Sequence, residues 1–442
     1  MSSVPTGWAS DRLKDVAAIN AVALSAATDP DYEFDYLEIS NVEYHGIVDP
    51  NAIERLRFED APSRARRRVA AGSTVISSVR PNLQAVAFFP DTPAHFVCST
   101  GFNVVEPQPS RLSPQFAYYH LISENARQYF EAAATGVGYP AVGDKEFNAI
   151  AVPLPPVAEQ QRIAAYLDAS CAAIDAAVAA KRRQLETLDA LRKAIIERAV
   201  TYGIAAHPKL RQVDNEWLKE VPAHWEVCRI KRVLTRMDYG ISVSTIEEGR
   251  YPVLKMGHLQ DGEIRFSNLD FVDEVDDNLI LETGDLLYNR TNSPDQVGKA
   301  AVFRKSRTDA ITFASYLVRL RVNHRANAWF LNYVFNSDGF LGFARRLAIP
   351  SVQQSNLNST RYSRMFIPLP PVREQETIRA YLDEKTGEVN RIVADIESQI
   401  ATLTAYRKSL IHECVTGQRR VTEEDVRRAG CAGSIRPVER RP

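Results

Sequence analysis

Two long stretches of the chain carry apolar residues at alternating steps of three and four. In the first they are Leu167, Ile174, Val178, Leu185, Leu188 and Ile195. In the second they are Leu382, Val389, Val393, Ile396, Ile400, Leu403 and Leu410. This spacing is the heptad stripe of a helix that packs along another helix. No proline lies between Pro156 and Pro208, or between Pro371 and Pro437, so both stretches permit long helices. Helices of about 45 residues reach about 65 Å, too long to bury against one domain of ordinary size. They are expected to pair with each other. The first ends where a second domain begins, so the second must return antiparallel to it. Lys181, Arg192 and Arg407 interrupt the apolar seam and are candidates for setting register, while Gly203 and Gly417 are placed to end the helices.

The remaining segments read as mixed α/β. Short runs of branched and aromatic residues predict strands at 74–79, 85–89, 96–98, 102–105, 251–255, 300–303 and 316–322. Helical periodicity predicts helices at 114–131 and 327–335.

The chain also repeats itself. Pro153-Leu-Pro-Pro-Val157, Glu159-Gln160, Ile163 and Ala165-Tyr-Leu-Asp168 return as Pro368-Leu-Pro-Pro-Val372, Glu374-Gln375, Ile378 and Ala380-Tyr-Leu-Asp383. A second block, Val4-Pro5, Trp8, Arg12-Leu13-Lys14 and Val16, returns as Val221-Pro222, Trp225, Arg229-Ile230-Lys231 and Val233. The offsets, 215 and 217 residues, are far longer than those of stacked repeats, so whole domains are duplicated. The centres of the two halves do not match. Ends that agree around centres that differ are what one shared task performed twice on two different targets would leave. The predicted fold is therefore two tandem mixed α/β (α+β) domains separated by two long helices that form an antiparallel coiled coil, with a pseudo-two-fold internal repeat. The boundaries read 1–155 for the first domain, 156–204 for the central helix, 205–370 for the second domain and 371–418 for the C-terminal helix. Residues 419–442 are expected to form a flexible tail.

Composition adds mainly exclusions. The 45% hydrophobic and 25% charged residues suit a globular protein. No run of about 18 apolar residues is evident and Met1 to Trp8 lacks a signal peptide's features, so a cytoplasmic location without a membrane span is expected. Cys98, Cys171, Cys228, Cys414 and Cys431 are scattered and read as reduced, buried, non-metal cysteines. A net charge of −1 gives no global field to attract nucleic acid, so any DNA contact must use local patches. The candidates in domain one are Arg64, Arg66, Arg67, Arg68, Arg80, Asn82, Gln84 and Tyr139. In domain two they are Asn289, Arg290, Asn292, Arg345, Arg346, Gln353, Gln354 and Asn356. Arginine grips guanine edges or phosphate with two bonds, and the amides can read adenine. Motifs of a methyltransferase, a phosphate-binding loop, a metal site or a nuclease are not found, so no catalytic residue and no cofactor is assigned to this chain.

The doubled Pro-Leu-Pro-Pro-x-x-Glu-Gln blocks heading long helices, with the Val-Pro-x-x-Trp openings, resemble the shared regions of type I restriction–modification specificity subunits. Gly284-Asp285-Leu286-Leu287 and Val297-Gly298-Lys299 share that resemblance, and Gly72-Ser73-Thr74-Val75 is a looser version of the former. The resemblance implies a non-catalytic subunit that reads a bipartite, asymmetric target in double-stranded DNA. It implies two modification (methyltransferase) subunits as partners, carrying S-adenosylmethionine, and restriction subunits carrying ATP and magnesium. Glu159, Gln160, Glu374 and Gln375 are the candidate contacts to those subunits. The paired helices would set the spacing of the half-sites, with insertions after Leu188 and Leu403 matching each other. The alternatives are a coiled-coil adaptor with two protein-binding domains, which would not shift a split DNA site, and an orphan bipartite DNA-binding protein, which would lack neighbouring enzyme genes.

Overall fold

The computed structural model describes residues 5–42, 46, 50–91, 95–351 and 354–432. Its contacts divide the chain into two units, Met1–Arg182 with Glu397–Pro442, and Arg183–Ile396. Each unit holds one α/β domain, part of the first long helix (Val157–Tyr202) and part of the second (Val372–Val415).

The helices are antiparallel in both units. In the first, Asp175 pairs with Arg407 at 3.0 Å and Lys181 bonds Gln399, so numbers rise on one helix as they fall on the other. In the second, Ile378 and Leu382 share a buried cluster with Ala199 and Val200 at the far end of the first helix. Leu167, Ile174, Leu382, Val389, Ile396 and Leu410 are buried, and Val178, Leu185, Leu188, Ile195, Val393, Ile400 and Leu403 are half-buried, as a two-helix seam requires. Arg407 lies buried in that seam. Its repeat counterpart Arg192 instead bonds Asp189 on its own helix at 3.2 Å. The pairing register sets Leu188 against residues close to Val393. An insertion after Leu188 is therefore matched by one near Val393, not by one after Leu403, its counterpart in the repeat.

The first helix contains an 18-residue window of mean hydropathy 1.5, long and apolar enough to cross a membrane by length and composition alone. Alanines supply much of that value. The larger apolar side chains, Ile163, Leu167 and Ile174, are buried among the side chains of unit one.

Each domain is three layers deep. In domain one a four-stranded antiparallel sheet has the order Ala17–Ile19, Phe102–Pro107, Ser73–Ser77, Val86–Phe89. On one face Ile76 and Val105 meet the helices; on the other Val75, Ala87 and Val104 meet a second sheet. That second sheet contains a parallel pair, Glu33–Leu37 beside Phe96–Ser99. Domain two repeats the plan. Its main sheet runs Leu234–Tyr239, Leu317–Val322, Leu286–Asn289, Ala300–Val302. Its second sheet has the equivalent parallel pair, Tyr251–Leu254 beside Thr312–Phe313. Strands covered on both faces are apolar at successive positions, which is why Leu286, Leu287 and Tyr288 are all buried. The unmatched centres thus share one topology.

The helix expected at 114–131 is two helices, Pro114–Leu121 and Glu124–Ala133, because the Ser123 hydroxyl accepts from the Ala126 amide at 3.4 Å and starts the second. Domain two breaks at the same place, between Ala328–Phe335 and Asp338–Leu347. Part of the expected tail is also helical: Glu423–Ala432 packs Val426 and Ala429 against the core of unit one, and the Val421 carbonyl accepts from Arg162 at 2.9 Å. Of the cysteines, Cys431 is exposed and the other four are buried. Burial pushes the Cys98 and Cys414 thiols up to about 12, which leaves them unreactive.

The two matched sequence blocks meet in space. Ala9–Arg12 pairs with Ala151–Leu154, and Glu226–Arg229 with Phe366–Leu369, so the first two residues of Pro-Leu-Pro-Pro end a strand. A two-stranded ribbon has free edges and tolerates those prolines. The helix then starts against a buried amide. Gln160 accepts from the Ser113 amide at 2.7 Å and donates to the carbonyls of Arg111 (2.8 Å) and Pro155 (2.9 Å). Gln375 accepts from Asn327 at 2.7 Å and donates to Arg325 (3.0 Å) and Pro370 (2.8 Å). Both are 0% exposed. One turn pair further on, Tyr119 donates to Asp168 at 2.7 Å and Tyr333 to Asp383 at 2.8 Å.

Replacing Gln375 with Ala leaves three backbone groups, one buried and two partly buried, without their partner, and a loss of about 3 kcal/mol in urea unfolding is expected. Glu376→Ala, an exposed neighbour, should stay within about 0.5 kcal/mol of the parent; equal effects would refute the clamp.

Burial also makes domain one acid-sensitive. His120 is held neutral, its pKa lowered to about 4 from 6.5, chiefly by desolvation. The unfolded chain takes up a proton below pH 6.5 while the folded one does not until about pH 4. The stabilisation is complete above pH 6.5 and is lost as pH falls through that window. The equivalent position in domain two is Val334. Between pH 7 and pH 5 the parent should lose about 2 kcal/mol more than His120→Val; identical pH profiles would show that His120 is not the titrating group.

Candidate nucleic-acid interface

The strand Ala65–Arg68 turns its arginines to different environments. Arg64, just before it, is held by Glu38 at 2.6 Å, and Arg66 lies over the Phe58 ring at 4.6 Å. Arg67 is directed inward, bonding the Phe102 carbonyl and, at 2.9 Å, the Asn103 side chain. It is a structural arginine, which corrects its assignment as a DNA contact. Arg68 ends the strand in solvent.

The second candidate region forms around a left-handed pair. Arg80 (φ 49°) and Gln84 (φ 48°) bracket a single turn at Pro81–Leu83, which contains Asn82. Gln84 is buried and its amide faces the Ile122 carbonyl at 3.4 Å, so it too is structural and not a base reader. Arg80 is exposed. Its amide is tied to the Pro140 carbonyl at 2.7 Å, and its guanidinium lies 4.3 Å from the centre of the exposed Tyr139 ring.

Domain two presents a related corner built differently. Thr291–Asn292 pairs with Gln354–Asn356, which pairs in turn with Ile349–Ser351. Arg290 stacks at 5.1 Å over Tyr239, whose hydroxyl bonds Ser359 at 2.7 Å. Arg346 is exposed over the Phe343 ring, and Gln354 is exposed on the hairpin. Gln353 lies outside the described residues. Asn292 accepts from Ser293 at 2.8 Å, Asn356 donates to Thr291 at 2.8 Å, and Arg345 donates to the Asp295 carbonyl. These three shape the loop. Asn289 is 0% exposed and cannot reach a base, a third correction; its side-chain amide atoms make no hydrogen bond among the described residues.

Tyr239 escaped the sequence reading because it ends an ordinary alternating strand far from Arg290 in the chain. A groove lined by Arg192, Lys193, Lys299 and Arg345 also contains Asp189, Asp261 and Asp338, which leaves a surplus of one positive charge, too little to track phosphates. Of the Glu-Gln pairs, the two glutamines need correction as partner contacts, while Glu159 and Glu374 keep part of their surface exposed. Gln160 and Gln375 are enclosed, and Glu374 accepts from Trp225 at 3.0 Å and contacts His224 at 2.8 Å. Glu159 is half-buried in its first helical turn. Among the described residues no group of three or more His, Cys, Asp or Glu could hold a metal ion.

In domain two the Gly284-Asp285 turn has a clear physical role. Asp285 is buried and receives two bonds from Arg321, at 2.7 and 2.8 Å. Arg319, fully buried behind it, bonds Asp238 and the carbonyls of Ile280 and Asn278. Buried charges persist only when paired in this way. Domain one carries Ser73 at the matching turn, which explains why its version of the motif is loose.

Residues 5–187 match the family model described as the type I restriction modification DNA specificity domain. The chain is 25% identical over 203 residues to a putative type I restriction enzyme MjaX specificity subunit of Methanocaldococcus jannaschii, covering 45% of this chain and 47% of that protein. It is 23% identical to the EcoKI specificity subunit of Escherichia coli K12, covering 73% and 69% of the two chains. To the StySPI specificity subunit of Salmonella potsdam it is 20% identical, covering 94% and 90%. Among solved structures, a chain from work on complex assembly and conformational transition of a type I R-M system superposes with a TM-score of 0.76 at 22% identity, covering 95% of this chain and all of that one. The HsdS subunit of Thermoanaerobacter tengcongensis gives 0.54 at 22% identity, covering 94% and 98%. These likenesses show the fold: two mixed α/β domains and two long antiparallel helices.

Proposed function

The chain belongs to the type I restriction–modification specificity-subunit family, and on that premise we propose that its two domains read the two different halves of a split DNA target. A specificity subunit is the non-catalytic part of its enzyme: it recognises the DNA target and assembles with modification and restriction subunits. One observation carries the two-reader proposal. The same layered domain is built twice on a common frame, yet the exposed corners differ, with Arg80 and Tyr139 in one and Arg290, Arg346 and Gln354 in the other. One frame with two unlike corners suits an asymmetric bipartite site in double-stranded DNA. Arg64, Arg66, Arg68 and Arg80 are the candidate contacts of domain one.

The frame also suits two copies of one partner. Each helix start repeats the same ribbon and buried glutamine, so each unit would offer a modification subunit an equivalent docking face. In this reading S-adenosylmethionine belongs to the modification subunits, ATP and magnesium to the restriction subunits, and the assembled enzyme works in the cytoplasm.

The corner-exchange experiment follows directly. Replacing residues 17–150 with the same segment of a family member of different specificity leaves both ribbon strands intact. Methylome mapping should then show one altered half-site and one unchanged; two altered halves, or none, would overturn the two-reader proposal. The purified chain alone should transfer no methyl group from S-adenosylmethionine to DNA, and transfer at a rate above the protein-free control would contradict the division of labour.

A further inference from the structure

The loop after the helix Glu124–Ala133 has a form that reading base edges by hydrogen bonds does not require. Thr135 and Ala141 exchange two backbone bonds of 2.9 Å, and Val79 bridges to Ala141 beside them. This closes a five-residue tip, Gly136-Val137-Gly138-Tyr139-Pro140. Both glycines sit in the left-handed region, at φ 110° and 82°, where a side chain would strain the backbone. The tip turns two large side chains outward, the aliphatic Val137, fully exposed, and the aromatic ring of Tyr139, 72% exposed. Arg80 braces the tip from below, with its amide on the Pro140 carbonyl at 2.7 Å, one guanidinium nitrogen 3.4 Å from the Gly138 carbonyl, and its charge against the Tyr139 ring.

We propose that this tip is a wedge: Tyr139, backed by Val137, inserts at a base step of the domain-one half-site and partly unstacks it. The proposal rests on the DNA-reading role of domain one and adds how that domain deforms its target. Apolar side chains inserted between base pairs kink a duplex, and an aromatic ring replaces part of the stacking that is lost. Arg80 supplies a cation at the root of the wedge for the flanking phosphate. A protein partner fits the tip less well, because two side chains cover far less than the roughly 800 Å² per side of a stable interface. The corresponding segment of domain two, residues 349–356, contains neither a glycine nor an aromatic residue. Deformation is therefore confined to one half-site. It would favour flexible pyrimidine–purine steps there, adding specificity at positions that no side chain reads by hydrogen bonding.

The test uses the full chain assembled with its modification subunits, and duplexes carrying the methylated motif mapped in the host. 2-Aminopurine replaces single bases other than the target adenines, in each half-site in turn. Fluorescence should rise on binding at one step of the domain-one half-site and at none in the other. Tyr139→Ala should abolish the rise and weaken binding about tenfold, while Tyr139→Phe should retain both. Because Tyr139 is exposed, neither variant should change the unfolding midpoint. A rise that persists in Tyr139→Ala, or no rise in the parent, overturns the wedge while leaving the two-reader proposal standing if the domain exchange still alters one half-site. Loss of modification subunits from the Tyr139→Ala complex, with unchanged DNA affinity in what remains, would make the tip a protein contact and overturn the wedge as well.

Discussion

A primary amide can donate and accept at once, and the frame of this protein depends on that property used twice. Gln160 and Gln375 each stand in the first turn of a helix of more than forty residues, with no access to water. Each takes a backbone amide from the start of a domain helix or its cap and returns two bonds to carbonyls on either side. An unpaired amide there would be costly, so the three bonds form together or the junction does not form. The direction of each long helix is thereby tied to the ribbon and to the core of its own domain. Glutamate could not donate, and asparagine is one methylene shorter.

The opposite helix ends complete the frame. Trp225 packs against Gly203 at the end of the first long helix, and Trp8 against Gly417 at the end of the second. Both glycines are left-handed at φ 73°, and an added methyl group would lie 3.1 Å from the indole in each case. A domain is thus joined to the start of one helix through its glutamine and to the end of the other through its tryptophan. This is why the matched sequence blocks lie at domain edges, and why the centres are free to differ. Domain two stabilises its sheet with the Arg319, Arg321, Asp238 and Asp285 network, while domain one has Ser73 and Thr74 buried at the matching turn. The same strand order survives both solutions because the layers are held by apolar faces, with the polar groups filling local needs.

Restraint in overall charge agrees with this division. At −1 the chain has no general attraction for DNA, and the arginines near the corners are mostly positioned by neighbours: Glu38 for Arg64, Phe58 for Arg66, Tyr139 for Arg80 and Tyr239 for Arg290. Positioned charges favour discrimination over indiscriminate binding.

The sequence by itself determined the duplication, the two helices, their antiparallel sense and seven of the strands, because these rest on periodicity and on repeated blocks that are local in the chain. The same reasoning erred where the outcome depended on which way a side chain turned. Arg67, Gln84 and Asn289 look like readers in a polar run, yet each faces the interior; Gln160 and Gln375 look like docking groups, yet each is enclosed. The expected tail folds as far as Ala432 because Val421 and Val426 find apolar surface supplied by unit one. The shared topology of the unmatched centres, the Tyr119–Asp168 and Tyr333–Asp383 pairs, and the meeting of Arg290 with Tyr239 were decided by tertiary structure alone. They join residues about fifty or more positions apart, and one-dimensional spacing holds no record of which distant face a side chain will meet.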